Sequence, residues 1–589
     1  MRFLTALLCA PALLAASPSV ASPDGSLQAA LTASGAGFSL SATLDGQPLL
    51  VEARLGLGGL TPAWSTARAA RRSVRSEWRP VYGERAVVPD RYNELALSTP
   101  QLTVVVRAYD EGLAIRYRLE GRGAFTLPAE LTSFRFPAGS TGWEEHGTEG
   151  EYAAVPVESI KEKCERPLTV ALPGGRYASL GEAALVDYPR MLLSPDGAGG
   201  LRAALDGPAT GTLPFETPWR FLVVGRRPGD LLENNFLVLN LNAPQAIADP
   251  SWIRPGKVMR EVTLSTKGGK AVVDFAAAHG LQYVEYDAGW YGHEYDDASD
   301  ARSVAPDPDR IRNIPDHGGL DLREVIRYAR SKGVGVILYV NRRALEKQLD
   351  EILPLYQGWG VAGLKFGFVN VGPQQWSSWL HDAIRKAAAH RLMVDVHDGY
   401  RPTGYTRTYP NLMTVEGVRG NEHMPTARHN TTLPFTRAIA GSYDYTICWG
   451  TPRLKTTRAH QMAQSVVHYS PWQFLFWYDK PDQVREEPAL DFFRRLPTVW
   501  DETRVLAGSI GEYAVVARRR GAEWWIGAIT NEQARKLAPA LKALAGKRAT
   551  FYCDGASAAE VRIAEVKLDA AGTLAFDMAP GGGCAAVVR

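Results

Sequence analysis

Cysteine is scarce in this sequence, which has only five cysteines in 589 residues. One of them, Cys9, lies in an N-terminal segment that we expect to be removed. The remaining four are too few for a disulfide scaffold in a chain of this length, although Cys553 and Cys584 share the C-terminal segment and could pair. No CxxC pair occurs, so the sequence does not indicate a zinc ribbon.

Charge of one sign and long apolar runs are also lacking. The 66 lysines and arginines nearly balance the 63 aspartates and glutamates, and no long basic run is present. This pattern argues against a nucleic-acid partner. Beyond the N-terminus no apolar run approaches the roughly 18 residues of a transmembrane helix, so we expect no membrane span.

The first 21 residues have the pattern of a secretory signal peptide. Arg2 supplies the positive charge, residues 3–16 supply the apolar segment, and Ser19-Val20-Ala21 is the small-residue cleavage site. We place the cleavage after Ala21 and expect a periplasmic or secreted protein.

The mature chain divides into three regions by its hydrophobic pattern. Short alternating apolar runs separated by glycine and proline predict a β-sandwich domain over residues 22–250. Over residues 251–500 about eight short apolar runs alternate with helical stretches, which is typical of a (β/α)8 barrel. In residues 501–589 apolar and polar residues alternate again over short runs, which predicts a C-terminal all-β domain. A doubly wound nucleotide-binding sheet is disfavoured, because neither a GxGxxG after the first strand nor a Walker motif occurs.

Within the barrel region the pattern predicts where the strands begin and end. We place the first strand at residues 262–265 and a late strand at residues 438–445. In this fold the reactive groups lie at the C-terminal ends of the strands.

The predicted strand ends carry acidic side chains. They are Asp287, Asp398 and Glu416, and Glu422 follows on the loop after Glu416. Two or more carboxylates on one rim suit glycoside hydrolysis, in which one protonates the leaving oxygen while another attacks the sugar or activates water. Three close carboxylates cannot all stay ionised without a cation, so the cluster also favours a hard metal ion such as Ca²⁺.

Simpler interpretations stand beside this one. Any of these acids could cap a helix or pair with arginine. The histidines that flank Glu422, His423 and His429, do not have the spacing of a zinc site. No GxSxG elbow is present, which argues against a serine hydrolase.

Six segments distributed over almost the whole mature chain carry the motifs of one enzyme family. They are RYNEL at 91–95, GDLLE at 229–233 with NLN at 240–242, WIRPGK at 252–257, RPTG and RTYPN within 401–411, EG and GNE within 416–422, and LPFTR at 433–437. Through them the sequence resembles glycoside hydrolase family 97. The resemblance implies an N-terminal β-super-sandwich, a central barrel, a C-terminal β domain and a calcium-dependent, exo-acting α-glycosidase that takes an oligosaccharide or another α-glycoside.

The resemblance also assigns roles to single residues. Glu422 matches the proton donor of the family, and Glu416 matches a calcium ligand on the same loop. Asp398 matches the position of a catalytic base that touches the calcium. The N-terminal domain of the family lends one glutamate to the metal, for which Glu151 is our first candidate and Glu149 the second. The implied metal ligands are therefore Glu151, Glu416, Asp398 and Glu422.

Four further residues are expected to contact the substrate. Lys365 and His397 match substrate-contacting positions of the family. Asp287 and Trp290, at the end of the second strand, would contact the sugar. For Trp290, packing in the core is an equal alternative.

Two departures from the family pattern decide the expected mechanism. Retaining members carry an aspartate nucleophile at the end of strand four, where this chain has Gly367. Inverting members have glycine there and a second glutamate base after strand three, where this chain reads Tyr339-Val340-Asn341. We therefore expect an inverting α-glucosidase with Glu422 as acid and Asp398 as base. A retaining α-galactosidase with a displaced nucleophile, and a catalytically feeble carbohydrate-binding relative, are the alternatives.

Overall fold

The computed structural model describes residues 17–34, 37–64 and 67–589. Most of the expected signal peptide, residues 1–16, lies outside the described residues. Ser19–Ala21 forms a short strand that pairs antiparallel with Leu27–Ser34. Cleavage after Ala21 would remove that strand, and the signal peptide itself stays a prediction.

The N-terminal region is a sandwich built on a ten-stranded sheet. This sheet is buried on both faces: Val104 and Val106 pack toward a four-stranded sheet, whereas Val105 between them packs toward the barrel. The four-stranded sheet contains Ser19–Ala21, Leu27–Ser34, Gly37–Leu44 and Gln47–Leu55. The ten-stranded sheet contains Arg68–Trp78, Val88–Ser98, Leu102–Tyr109, Gly112–Leu127, Thr141–Glu144, Ala153–Pro156, Leu168–Leu172, Arg176–Ala183, Ala209–Glu216 and Trp219–Gly225. A small third sheet contains Ser133–Phe134, Met191–Pro195 and Leu201–Leu205.

Two short helices, Pro228–Glu233 and Phe236–Asn240, lead into the barrel. In the described residues the barrel has seven regular parallel strands. In chain order they are Gly256–Glu261, Tyr283–Tyr286, Gly335–Asn341, Gly363–Gly367, Met393–Val396, Leu412–Val415 and Trp472–Phe474. The helices of this region are Thr266–Ala278, Pro308–Ile311, Leu322–Ser331, Arg342–Trp359, Gln374–Ala389, Ala427–Thr432, Arg458–Val467 and Leu490–Arg495.

Two expected barrel strands are not where the pattern placed them. Residues 262–265 form the turn after the first strand, because the Glu261 carboxylate accepts hydrogen bonds from the backbone of Thr263 and Leu264. Residues 438–445 are not a regular strand either, since a left-handed turn at Gly441 interrupts them.

The gap that remains in the barrel wall is closed by an irregular segment, residues 443–448. Its Asp444 amide donates to Val415 on the sixth strand, and its Ile447 amide donates to Phe474 on the last strand. The ring of strands is therefore nearly closed, and all of its C-terminal ends meet on one rim.

The C-terminal region is all-β. Its six-stranded antiparallel sheet contains Glu502–Ser509, Tyr513–Arg520, Glu523–Thr530, Arg548–Asp554, Val561–Lys567 and Gly583–Val588, and a two-stranded ribbon contains Arg535–Leu537 and Phe576–Met578. A disulfide joins Cys553 to Cys584 on neighbouring strands. The expected sandwich, barrel and C-terminal β architecture is thereby confirmed. Among the described residues no helix has both the length and the apolar character needed to cross a membrane.

Candidate active site

Four of the acidic and histidine side chains expected in the site come together on the barrel rim. His397, just after the fifth strand, has its Nε2 atom 2.8 Å from Glu416 Oε2 and its Nδ1 atom 2.7 Å from Asp398 Oδ2. Glu422 lies on the next loop, and the ligand atoms of His397, Glu416 and Glu422 are all within 4.8 Å of one another. We call His397, Asp398, Glu416 and Glu422 the rim cluster.

Unusual backbone conformations position this cluster. Asp398 adopts a left-handed φ of 59°, which is uncommon for a residue with a side chain. Gly417, next to Glu416, has a φ of 40°, and a Cβ there would lie 2.4 Å from the Tyr400 carbonyl oxygen. Only glycine fits at that position, so the turn after the sixth strand is fixed by the backbone.

The charges within the cluster depend on one another. Burial alone lowers the pKa of His397, but the adjacent Glu416 carboxylate raises it well above its usual range. Burial raises the pKa of Glu416 to about 8, although His397 and Lys365 oppose that rise. Even beside these two cationic groups, the carboxylate of Glu416 therefore needs a further cation to stay ionised at neutral pH.

Lys365 lies beneath the cluster, inside the barrel. Its Nζ atom is 2.8 Å from Asp444 Oδ2, 3.6 Å from Asp395 Oδ2 and 4.0 Å from Glu416 Oε2. Burial lowers the pKa of Lys365, but Asp444 and Asp395 raise it well above the ordinary value. This fully buried ammonium group is placed to offset the negative charge of the surrounding carboxylates. The expected contact of Lys365 with substrate stays a prediction.

Other acids in the barrel interior hold protons. Glu285 is fully buried and neither of its carboxylate oxygens has a hydrogen-bond partner. Burial raises its pKa well above the usual value, so this side chain stays neutral. Burial likewise raises the pKa of Asp395 to about 7. The excess of acids in the interior is thus partly neutralised by protonation.

The two residues expected at the end of the second strand have different surroundings. Asp287 accepts a hydrogen bond of 3.0 Å from Arg260 Nη1. Burial raises the pKa of Asp287, but Arg260 and Lys365 lower it below its usual range, so the carboxylate is ionised. Trp290 is fully buried, and its indole N–H donates to the Tyr339 carbonyl oxygen at 2.8 Å. Its placement matches the core-packing alternative, because no part of the ring is exposed.

A loop of the N-terminal domain approaches the rim. Glu149 contacts His423 Nε2, and Glu151 Oε1 lies 3.3 Å from Arg419 Nε. Both partners are on the loop that carries Glu422. Glu151 is not among the ligand atoms brought together in the rim cluster, so its role as a metal ligand stays a prediction.

The rim cluster has the donors that a calcium ion prefers. Asp398 Oδ2 and Glu416 Oε2 are buried, and despite their short distances to His397 neither takes part in a hydrogen bond of good geometry. Unsatisfied carboxylate oxygens are suitable ligands for a hard cation. The Glu416 and Glu422 carboxylates could hold calcium, whereas the imidazole of His397 is not a typical calcium ligand. Asp398 faces the other ring nitrogen of His397 and is not among these mutually close ligand atoms, so its expected role as a metal ligand stays a prediction.

A second group of polar residues was not found by sequence reasoning. A Cβ atom on Gly367 would lie 2.1 Å from Tyr339 Oη, so the tyrosine fills the space of a side chain at that position. The same hydroxyl donates to Glu294 Oε2 at 2.6 Å. Glu294 lies on the irregular loop after the second strand, where no periodic pattern marks it. Asp444 was missed because residues 438–445 were expected to form a regular strand.

Comparison with known proteins identifies the family. Models described as "Glycosyl-hydrolase 97 N-terminal", "Glycoside hydrolase 97" and "Glycosyl-hydrolase 97 C-terminal, oligomerisation" match residues 20–244, 253–418 and 499–589. A retaining alpha-galactosidase of Bacteroides thetaiotaomicron is 28% identical over 97% of this chain and 96% of its own length. A probable retaining alpha-galactosidase of Streptomyces bingchenggensis is 32% identical over 86% of this chain and 81% of its own length.

A solved structure extends the agreement to three dimensions. It is a family 97 enzyme from a Pseudoalteromonas species in complex with acarbose, with a TM-score of 0.88 and 26% identity over 97% of this chain and 100% of its own. Three domain models, a relative above 30% identity and this structure all indicate the same family. The chain belongs to glycoside hydrolase family 97.

Proposed function

We propose that this protein is an exo-acting α-glycosidase in which Glu422 is the general acid. The observation that carries the proposal is the position of Glu422, on the barrel rim beside Glu416 and His397. The names of the two curated relatives and the acarbose complex of the Pseudoalteromonas enzyme support an α-glycoside substrate. The loop that carries Glu149 and Glu151 covers one side of the rim, and a site closed on one side would favour attack at a chain end.

We further propose an inverting reaction on α-glucosides. Support comes from Gly367, where Tyr339 leaves no room for the aspartate nucleophile of retaining members. Glu422 would give its proton to the glycosidic oxygen as the bond to the anomeric carbon breaks. Asp398 would accept a proton from the water that attacks the opposite face of the sugar. Asp287, ionised and at the rim, is placed to accept a hydrogen bond from a sugar hydroxyl.

Calcium fits this proposal through the residues already described. Glu416 and Glu422 would hold the ion, and Asp398, which faces the other nitrogen of His397, would be left to act as the base. When bound, calcium would offset the repulsion among clustered carboxylates and polarise oxygen atoms that it touches.

Removal of the metal gives the first prediction. Dialysis against a calcium-selective chelator should lower kcat/KM by about 10²-fold or more, because close carboxylates without a cation take up protons or separate. Added Ca²⁺ should restore the rate, and Mg²⁺ should restore less, since Mg²⁺ demands a tighter octahedral site. Full activity of the chelated protein, with no calcium found by elemental analysis, would contradict the calcium proposal.

A retaining α-galactosidase is the second candidate function. The printed names of the Bacteroides and Streptomyces relatives favour it. This function needs a nucleophile that does not come from position 367.

Turnover of two chromogenic substrates tests the proposed function. The full chain with Ca²⁺ should release 4-nitrophenol from the α-glucoside faster than from the α-galactoside. Faster cleavage of the galactoside would favour the second candidate. Failure to cleave either substrate at any pH between 4 and 9 would contradict the α-glycosidase function itself.

A further inference from the structure

Glu294 is a buried carboxylate on the barrel rim that the proposed reaction has not used. Its Oε2 atom accepts hydrogen bonds from Tyr339 Oη at 2.6 Å and from Asn341 Nδ2 at 3.2 Å. Its Oε1 atom accepts one from Arg310 Nη2 at 2.9 Å. The side chain is only 7% exposed, so these contacts hold the carboxylate in one position.

The partners of Glu294 place it above the end of the third barrel strand. Tyr339 and Asn341 are alternate residues of that strand and share its inward face. The Asn341 side chain donates a hydrogen bond to this carboxylate, which comes from the loop after the neighbouring strand.

Glu294 also lies close to the rim cluster. The Tyr339 ring is 6.1 Å from the His397 ring. Phe368 links the two groups, because its ring is 5.5 Å from His397 and 5.6 Å from Tyr295, the residue after Glu294. Burial raises the pKa of Tyr295, and the carboxylates of Glu294 and Asp398 raise it further, as expected if both face this part of the rim.

The carboxylate has capacity for one more hydrogen bond. Each carboxylate oxygen can accept about two. Oε2 already accepts from Tyr339 and Asn341, whereas Oε1 accepts from Arg310 alone among the described residues. Burial and Glu294 raise the pKa of Tyr339, so the phenol keeps its proton and acts as the donor of this hydrogen bond. Oε1 can therefore accept a hydrogen bond from a water molecule on the rim.

We propose that Glu294 is a second catalytic carboxylate, which holds the attacking water together with Asp398. This inference rests on the proposed inverting α-glycosidase function. The water oxygen forms a bond to the anomeric carbon while the bond from that carbon to the leaving oxygen breaks. The leaving oxygen takes the proton of Glu422, and the proton lost by the water passes to the pair formed by Glu294 and Asp398. That proton returns to solvent, and Glu422 takes one up.

Replacement of Glu294 tests the inference. The measurements use the full chain with Ca²⁺ and whichever 4-nitrophenyl α-glycoside the native protein cleaves. Glu294→Gln should lower kcat by about 10²-fold or more, with KM changed by less than about threefold. Glu523→Gln is the matched control, because Glu523 is a partly buried carboxylate paired with Arg495 and lies on a strand of the C-terminal β domain. It should keep the native rate.

Two further variants separate catalysis from structure. Glu294→Asp keeps the charge opposite Arg310 but shortens the side chain, and should lower kcat about tenfold or more with an unchanged calorimetric transition. In Glu294→Ala, sodium azide should enter the space of the lost carboxylate, increase 4-nitrophenol release and give the β-glycosyl azide. A merely structural carboxylate would not produce that product.

The outcomes distinguish this inference from the proposed function. If the native protein cleaves its substrate and Glu294→Gln retains a rate within threefold of it, Glu294 is not catalytic. A folded Glu294→Ala that is inactive and forms no glycosyl azide also overturns the inference, but leaves the α-glycosidase function intact. If the native protein cleaves no α-glycoside, both fail together.

Discussion

Replacing Glu422 by glutamine should lower kcat for an unactivated α-glycoside by about 10²- to 10⁴-fold, the usual contribution of a general acid. Glutamine keeps the size and hydrogen bonding of the side chain but has no acidic proton for the leaving oxygen. KM should change little, because the proton is transferred in the transition state rather than on binding. Steady-state hydrolysis of a disaccharide with Ca²⁺ present measures this effect.

The leaving group provides an internal control for Glu422. A substrate that releases an acidic phenol needs little protonation, so Glu422→Gln should lose much less activity on it than on a disaccharide. Glu324→Gln, which alters an exposed carboxylate paired with Lys270, should behave as the native protein on both substrates. An equal loss on both substrates would show that Glu422 is not the acid.

Replacing Lys365 by methionine should destabilise the barrel by about 3–5 kcal/mol, as removing one partner of a buried ion pair usually does. Methionine fills much of the same volume, but it leaves Asp444 without its 2.8 Å contact to the ammonium group. Asp395 and Glu416 also lose an ammonium group that lies 3.6 Å and 4.0 Å from their carboxylate oxygens. Differential scanning calorimetry of the full chain should show the barrel transition at a lower temperature.

A double variant tests the physical reason for that loss. Lys365→Met combined with Asp444→Asn removes both charges of the pair, so it should be less destabilised than Lys365→Met alone. If Lys365→Met unfolds at the same temperature as the native protein, the Lys365 ammonium group does not stabilise the buried carboxylates as described. If the double variant is the less stable of the two, the loss comes from packing instead.

Much of the fold could be predicted from the sequence because its patterns are local. The bounds of the strand Gly335–Asn341 follow from the sequence, since an apolar run there begins just after the turn residues Lys332-Gly333. The first strand was misplaced because the apolar residues Val262 and Leu264 alternate with polar ones. In the structure the Glu261 carboxylate accepts hydrogen bonds from the Thr263 and Leu264 amides, and the segment is a turn. The segment 443–448 makes single hydrogen bonds to two strands rather than a regular ladder. An irregular segment of this kind leaves no characteristic hydrophobic period by which the sequence could mark it.

The site was predictable only where the fold alone determines position. The barrel places strand ends on one rim, and this was enough to bring Asp398, Glu416 and Glu422 together. The barrel fold alone did not show that Lys365 lies beneath the rim or that the Trp290 side chain is buried, since burial depends on how distant loops pack. Glu294 could not be found, because its partners lie 45 and 47 residues away on another strand.

The most direct test of the account is the configuration of the first product. Proton NMR of an α-glycoside during hydrolysis by the full chain with Ca²⁺ resolves the two anomers of the released sugar before they equilibrate. We expect the β-anomer first, because Tyr339 fills the space above Gly367 and the carboxylates of Asp398 and Glu294 are left to activate water. If the α-anomer appears first, the reaction retains configuration through a covalent intermediate, and both base assignments are contradicted.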